Sequence, residues 1–313
     1  ARPPKRRNDA MEYRRQLNHS ISGRNENADF LACPVTAHAA FEYPRDFLSN
    51  RFVYLVISSR AGGLSIGVNL NPAVTCNLHC LYCEIDRSLP ARAATFDLEQ
   101  MVLELKQTLE LAAVGWLKKW PKYASLPDDL LTVRHVALSG DGEPTLSRDF
   151  LPAVQAITHF RAIGVPFKLV LVTNSTSLDR PQVQEGLKLL TRHDEVWAKL
   201  DGGTQEYIDR INGPGTSLEK VLANILQVAR RRPVVIQSLF PAIDGAAPAK
   251  REVEEYAQRL KELKEEGANI PLVQIYSATR PMARSGCSHL PLRTLSEIAK
   301  TVRAVAGLRA EVF

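Results

Sequence analysis

Cysteine is scarce in this chain, five in 313 residues. An odd, low count excludes the disulfide framework of a small secreted domain. Aromatics make up only 7% of the residues, so no aromatic-rich platform offers itself for stacking single-stranded nucleic acid. Long apolar runs are missing too, and nothing approaches the roughly 20 residues of a membrane span. The basic start "ARPPKRRNDAMEYRRQ" is followed by polar residues, without the apolar stretch of a signal peptide. Acidic residues fall short of basic ones, 34 against 40, for a net charge of +6. That balance admits an anionic partner. It is also met by a solvated tail at "KRR" and a helix end at "ARRRP" (229–233), where cations suit the dipole. The expectation is a cytoplasmic globular protein with reduced thiols and no membrane segment.

What is present is alternation. Residues 1–50 carry scattered Pro, Asn and Arg and read as a basic, partly ordered extension. "RFVYLVISS" and "LSIGVNL" are β-branched runs joined by "RAGG", two adjacent strands. From Asp97 an apolar stripe through Leu98, Met101, Leu105, Leu109 and Ala112 predicts a helix, with Asp97 and Gln100 in the spacing of a capping box. Strands then alternate with helices: "HVALSG", "FKLVLVT", "EVWAKLD", "PVVIQSLF" and "PLVQIYS", separated by amphipathic helices and closed by "RTLSEIAKTVRAVAG". With the strand before the cysteines this makes six. Strands this continuously apolar suit a parallel sheet covered by helices. Six units are too few for a closed eightfold barrel. The fold class expected is therefore α/β, a partial (β/α)6 TIM-type barrel over 51–281, with an N-terminal extension and a C-terminal segment (282–313) packing its helix on the barrel. An open doubly wound sheet is the alternative.

Three of the five cysteines fall in "CNLHCLYC", as Cys76, Cys80 and Cys83, just past the first parallel strand. Buried cysteines packing as small hydrophobes are one reading, but Asn77 and His79 make this a polar loop. A Cys3His zinc site with His79 is a second, though its ligands are bunched more tightly than paired knuckles. The third is an iron–sulfur cubane held by three thiolates, which leaves one of four irons open to another ligand.

In α/β barrels, chemistry gathers at the C-terminal strand ends. The second parallel strand ends in "SGDGEPTL", where Gly140 and Gly142 allow close approach of a ligand and Asp141 and Glu143 add carboxylates. The third ends at Asn174. The fourth carries Lys199 and Asp201, two apart and so on one face, as an ion pair or a ligand contact. The fifth offers Gln237 and Ser238, one of which faces inward, and the sixth Tyr276 and, beyond it, Arg280. Cys33 and Cys287 are left over as free thiols. Cys287, near His289, is a further candidate for facing substrate.

The CxxxCxxC loop in this setting resembles the radical S-adenosylmethionine (SAM) superfamily. "GVNLNP", "SGDGEPTL", "TNSTSL" and "KLDGGTQEYIDRINGP" resemble its wyosine-synthase-like group, across residues 65–215. That group's second-cluster cysteines are missing, since only Cys33 lies upstream. The resemblance implies a [4Fe-4S] cluster on Cys76, Cys80 and Cys83, with SAM on the open iron. Tyr82, Gly140, Asp141, Gly142, Glu143, Asn174, Gln237, Ser238 and Tyr276 would line the SAM site. Reductive cleavage of SAM would give a 5′-deoxyadenosyl radical that takes hydrogen from a substrate. The electron would come from an external one-electron donor such as flavodoxin or ferredoxin. Lys199, Asp201, Tyr276, Arg280 and Cys287 are the candidates for work on the substrate. An RNA base, with tRNA as partner, is one candidate substrate. Tailoring of a small molecule or peptide, activation of a glycyl-radical partner and a non-catalytic metal-binding module are the alternatives.

Overall fold

The computed structural model describes residues 47–86, 95–164, 166–279 and 286–313. Nearly all of the expected N-terminal extension, with Cys33, and Arg280 lie outside the described residues. Strands β1 (Val53–Ser58) and β2 (Gly63–Val68) form an antiparallel hairpin. Helix α1 (Leu98–Ala113) follows. Strand β3 (Val133–Leu138) lies parallel to β2. The alternation then runs α2 (Phe150–Ile163), β4 (Leu169–Thr173), α3 (Pro181–Lys188), β5 (Glu195–Lys199), α4 (Gln205–Asn212), α5 (Leu218–Ala229) and β6 (Val234–Leu239). After a two-residue strand β7 (Ala242–Ile243) come α6 (Lys250–Glu265), β8 (Val273–Tyr276), β9 (Cys287–Ser288), α7 (Leu292–Ala306) and β10 (Ala310–Val312).

The main sheet has the order β1-β2-β3-β4-β5-β6-β8-β10, while β7 and β9 pair separately. Its centre is the expected set of six parallel strands, from β2 to β8. Two additions flank them: β1 on one edge, antiparallel, and β10 on the other, parallel to β8. The terminal helix is thus followed by a strand that extends the sheet.

Burial separates the two faces of this sheet. Alternate strand residues such as Ile66, Val136, Leu171, Val196, Ile236 and Val273 join one large core with residues of the helices, Met101, Phe150, Ile225 and Tyr256 among them. The intervening positions Ala137, Val170, Trp197 and Val235 form a separate small cluster on the other face. Among the described residues helices therefore cover one face of the sheet, which is a half-barrel with a concave inner face. A doubly wound sheet would bury both faces under helices.

Two local devices hold the first edge. Glu104 on α1 is buried, and its carboxylate accepts the backbone N–H groups of Arg51, Phe52 and Val53 at 2.9–3.0 Å. That fixes the start of β1 on the helix behind it. Asp97 caps α1 by accepting the N–H of Gln100 at 3.0 Å, but the Gln100 side chain turns to Glu104 instead of closing the capping box.

Candidate functional site

Beyond β2 the chain enters the cysteine loop, and polar side chains tie that loop to each neighbouring strand end. Asn69 donates to Asp141 at 2.5 Å, and Asn71 donates to the carbonyl of Glu143 at 2.5 Å. The backbone N–H of Glu143 returns to the carbonyl of Thr75 at 2.9 Å, one residue before Cys76. Here the glycines of "SGDGEP" find their reason. Gly140 has φ +152°, and a side chain on it would strike Asn69. A side chain on Gly142 would overlap the carbonyl of Thr75. Both glycines make room for the base of the cysteine loop.

Glu143 is buried and fully engaged. One carboxylate oxygen accepts from the Thr145 N–H at 3.1 Å, the Thr145 hydroxyl at 2.6 Å and the Thr173 hydroxyl at 2.7 Å. The other accepts the N–H of Asn174 at 2.7 Å. Burial raises its pKa, and these donors work against the rise. Asn174, oriented in this way, donates to Asn77 at 2.9 Å and stands 3.8 Å from the Cys76 sulfur. Asn77 in turn donates to Thr176 at 2.9 Å.

The far side of the loop is held by α4, a helix the sequence reading passed over. Its last carbonyls, from Ile211 and Asn212, accept the N–H groups of Leu81 and His79, each at 2.9 Å. The side chain of Asn212 reaches the Cys80 sulfur at 3.2 Å, the Tyr82 hydroxyl at 3.2 Å and Asp201 at 3.0 Å. Signals for this helix were present: Thr204 caps it by accepting the N–H of Tyr207, and Ile208 and Ile211 are buried at three-residue spacing.

Tyr82 donates a short hydrogen bond to Asp201. Asp201 also accepts the N–H of Leu239 at 2.9 Å and lies 3.2 Å from the Lys199 ammonium. Lys199 donates to the Tyr276 hydroxyl at 2.9 Å and sits 4.7 Å from the ring centre of Tyr82. Burial opposes its charge, but Asp201 and Tyr276 outweigh it and hold Lys199 above its ordinary value. Burial, then Asp201, pushes the Cys80 thiol up to about 11, with Asn212 and Tyr82 pulling the other way. A metal bound there would displace that proton.

These groups surround a cavity of about 630 Å³ on the inner face of the half-barrel. Cys76, Cys80 and Cys83 all line it, and so do Tyr82, Gly140, Gly142, Glu143, Asn174, Lys199, Gln237 and Tyr276. Other candidates stand apart from its lining. Asp141 bonds Asn69, and Asp201 sits behind Lys199. Ser238 faces the opposite way from Gln237, its hydroxyl 2.5 Å from that of Tyr256 on α6. Cys287 lies in β9, paired with β7, and His289 beside it is exposed.

Sequence reasoning also missed part of the lining. His135 and Trp197 meet edge to face at 5.2 Å on the inner wall. Tyr54 reaches from the edge strand to bond Ser139 at 2.8 Å. Arg60, in the β1–β2 turn, lays its guanidinium over the Tyr276 ring at 4.1 Å. Strand parity alone would have pointed His135 and Trp197 inward once the register was known.

The donor set suits a cluster with one open iron. Three cysteine thiols line one cavity, and two of their sulfurs lie close to amide N–H groups that would donate to a ligating thiolate. Among the described residues no three His, Cys, Asp or Glu side chains are gathered closely enough for one metal ion. Thiolates on a cubane each bind a different iron, so such close gathering is not required of them.

No family model matches the chain. Two Helicobacter pylori proteins, each called UPF0026 protein, are similar to it. One is 28% identical over 232 residues, which cover 73% of this chain and 67% of that protein. The other is 29% identical over 181 residues, covering 57% of this chain and 52% of its own length. The chain thus spans between about half and two thirds of these relatives. Among solved structures, a mutant of spore photoproduct lyase superposes with a TM-score of 0.53, covering 96% of this chain and 94% of that one. Its sequence identity is 10%, so the likeness is one of fold.

Proposed function

We propose that this chain is a radical SAM enzyme. The observation that carries the reading is the meeting of Cys76, Cys80 and Cys83 with five strand ends, those of β3, β4, β5, β6 and β8, around one cavity. When bound, a reduced [4Fe-4S] cluster supplies the electron that cleaves SAM to a 5′-deoxyadenosyl radical, the agent of hydrogen abstraction. Cys76, Cys80 and Cys83 would hold the cluster. Asn174 and Asn212 would steady two of the sulfurs by amide donors. Gly142, Asn174, Gln237 and Tyr276 line the space that SAM would fill, with Tyr82 beside the last cysteine. Glu143 acts as a positioning residue, because its oxygens already serve Thr145, Thr173 and Asn174. The electron would come from an external donor such as flavodoxin or ferredoxin.

The test is anaerobic reconstitution, reduction with dithionite and addition of SAM, with 5′-deoxyadenosine as the product followed. Wild-type protein should form it and Cys80→Ala should not. Equal product from both proteins would end the assignment.

A further inference from the structure

Two cations line the cavity, Lys199 and Arg60, and they differ in their partners. Lys199 is answered by Asp201 at 3.2 Å. Arg60 has no such answer: among the described residues its guanidinium meets only the face of Tyr276, at 4.1 Å, and it lines the cavity half-buried. A half-buried guanidinium stacked on a ring and without an acid partner keeps its planar N–H donors open to an anion entering the cavity. Tyr276 adds a second donor. Its hydroxyl already accepts from Lys199 at 2.9 Å, so its own proton is left to give. The adjoining inner wall is uncharged and ring-lined, built from Ala137, Val172 and the edge-to-face pair of His135 and Trp197.

From this we infer that the cavity binds a small anionic molecule, its carboxylate or phosphate on Arg60 and Tyr276 and its apolar or planar body against Trp197. Calling that molecule the substrate rests on the radical reading above; the binding of the anion does not. Arg60 belongs to the turn between β1 and β2, outside the six parallel strands. The anchor is therefore a property of the added edge strand. Arginine suits it better than lysine, since a planar fork matches either anion with paired hydrogen bonds.

The experiment is calorimetric titration of the anaerobically reconstituted full chain with two probes, phenyl phosphate and benzoate, with and without saturating SAM. At least one probe should bind saturably, and the stronger of the two identifies phosphate or carboxylate. Arg60→Gln should weaken it roughly tenfold or more while leaving SAM affinity within twofold. Arg148→Gln, a change to a surface arginine, should leave probe binding unchanged. Arg60→Lys, which keeps the charge, should retain part of the affinity and guards against a folding defect. Equal probe binding in wild type and Arg60→Gln would overturn the inference, as would no binding of either probe. Loss of SAM affinity in step with the probes would assign Arg60 to SAM instead. Arg60-dependent binding of a short oligoribonucleotide but not of the probes would replace the small molecule by RNA. If 5′-deoxyadenosine never forms but Arg60-dependent binding persists, the radical reading fails and the anion site stands.

Discussion

The side-chain nitrogen of Asn212 lies 3.2 Å from the sulfur of Cys80 and 3.0 Å from a carboxylate oxygen of Asp201. One amide thereby links the cysteine loop to the wall that carries Lys199 and Tyr276. An N–H aimed at a ligating sulfur stabilises the more negative, reduced form of a cluster. Asn212→Ala should make the midpoint potential of the reconstituted cluster more negative. The shift should be about 20–60 mV, the equivalent of one hydrogen bond of roughly 0.5–1.5 kcal/mol. A redox titration followed by electron paramagnetic resonance measures it, and an unchanged midpoint would remove Asn212 from this role.

Glu143 should matter more to stability than to ligand contact. Glu143→Ala strips the acceptor from buried donors on Thr145, Thr173 and Asn174. The expected loss is about 2–4 kcal/mol in denaturant unfolding. A variant as stable as wild type that no longer binds SAM would show direct contact instead.

Gly142→Ala should separate folding from loading. The added methyl meets the Thr75 carbonyl next to Cys76, so strain falls on the cysteine loop while the sheet core is untouched. Iron content after reconstitution should fall several-fold, with the far-ultraviolet circular dichroism spectrum preserved.

His135 predicts an acid sensitivity. Burial, with Lys168 adding to it and Glu195 opposing, pushes its pKa from 6.5 down to about 4. Between those values the unfolded chain holds a proton that the native protein refuses, so stability falls as pH drops through that window. Replacing it by Gln removes this one contribution. The stability difference between wild type and His135→Gln should therefore change by about 3 kcal/mol from pH 7 to pH 4. A pH-independent difference would mean that His135 titrates normally.

Cys287→Ser should leave iron content and SAM cleavage unchanged, since Cys287 sits in β9 outside the cavity lining. Cys83→Ser, by contrast, should lower both. Iron analysis of the two reconstituted variants decides it.

The strand and helix alternation was legible because each parallel strand is a short apolar run with a punctuated helix after it. The cysteine loop was legible for its spacing. What escaped depends on contacts distant in sequence. Asn212 gave no sign of reaching Cys80, 132 positions away. Gln237 and Ser238 were equal candidates until the register with Gln274 set which one turns inward. Gly140 and Gly142 were read for the close approach of a ligand, and no local signal showed that a side chain on either would also meet Asn69 or Thr75. The edge strands were partly hidden: β1 was visible as a hairpin arm, but β10 is only three residues long.

The anchoring of the cysteine loop bears on repair. Asn69, Asn71 and Thr75 bond to the turn after β3, Asn77 to Thr176 beyond β4, and His79 and Leu81 to the end of α4, and none of those bonds passes through a cysteine sulfur. On the proposed reading, their loss would not be required if the bound cluster were lost. A protein damaged by oxygen would then keep its cradle, and could be refilled many times over without first being unfolded and remade.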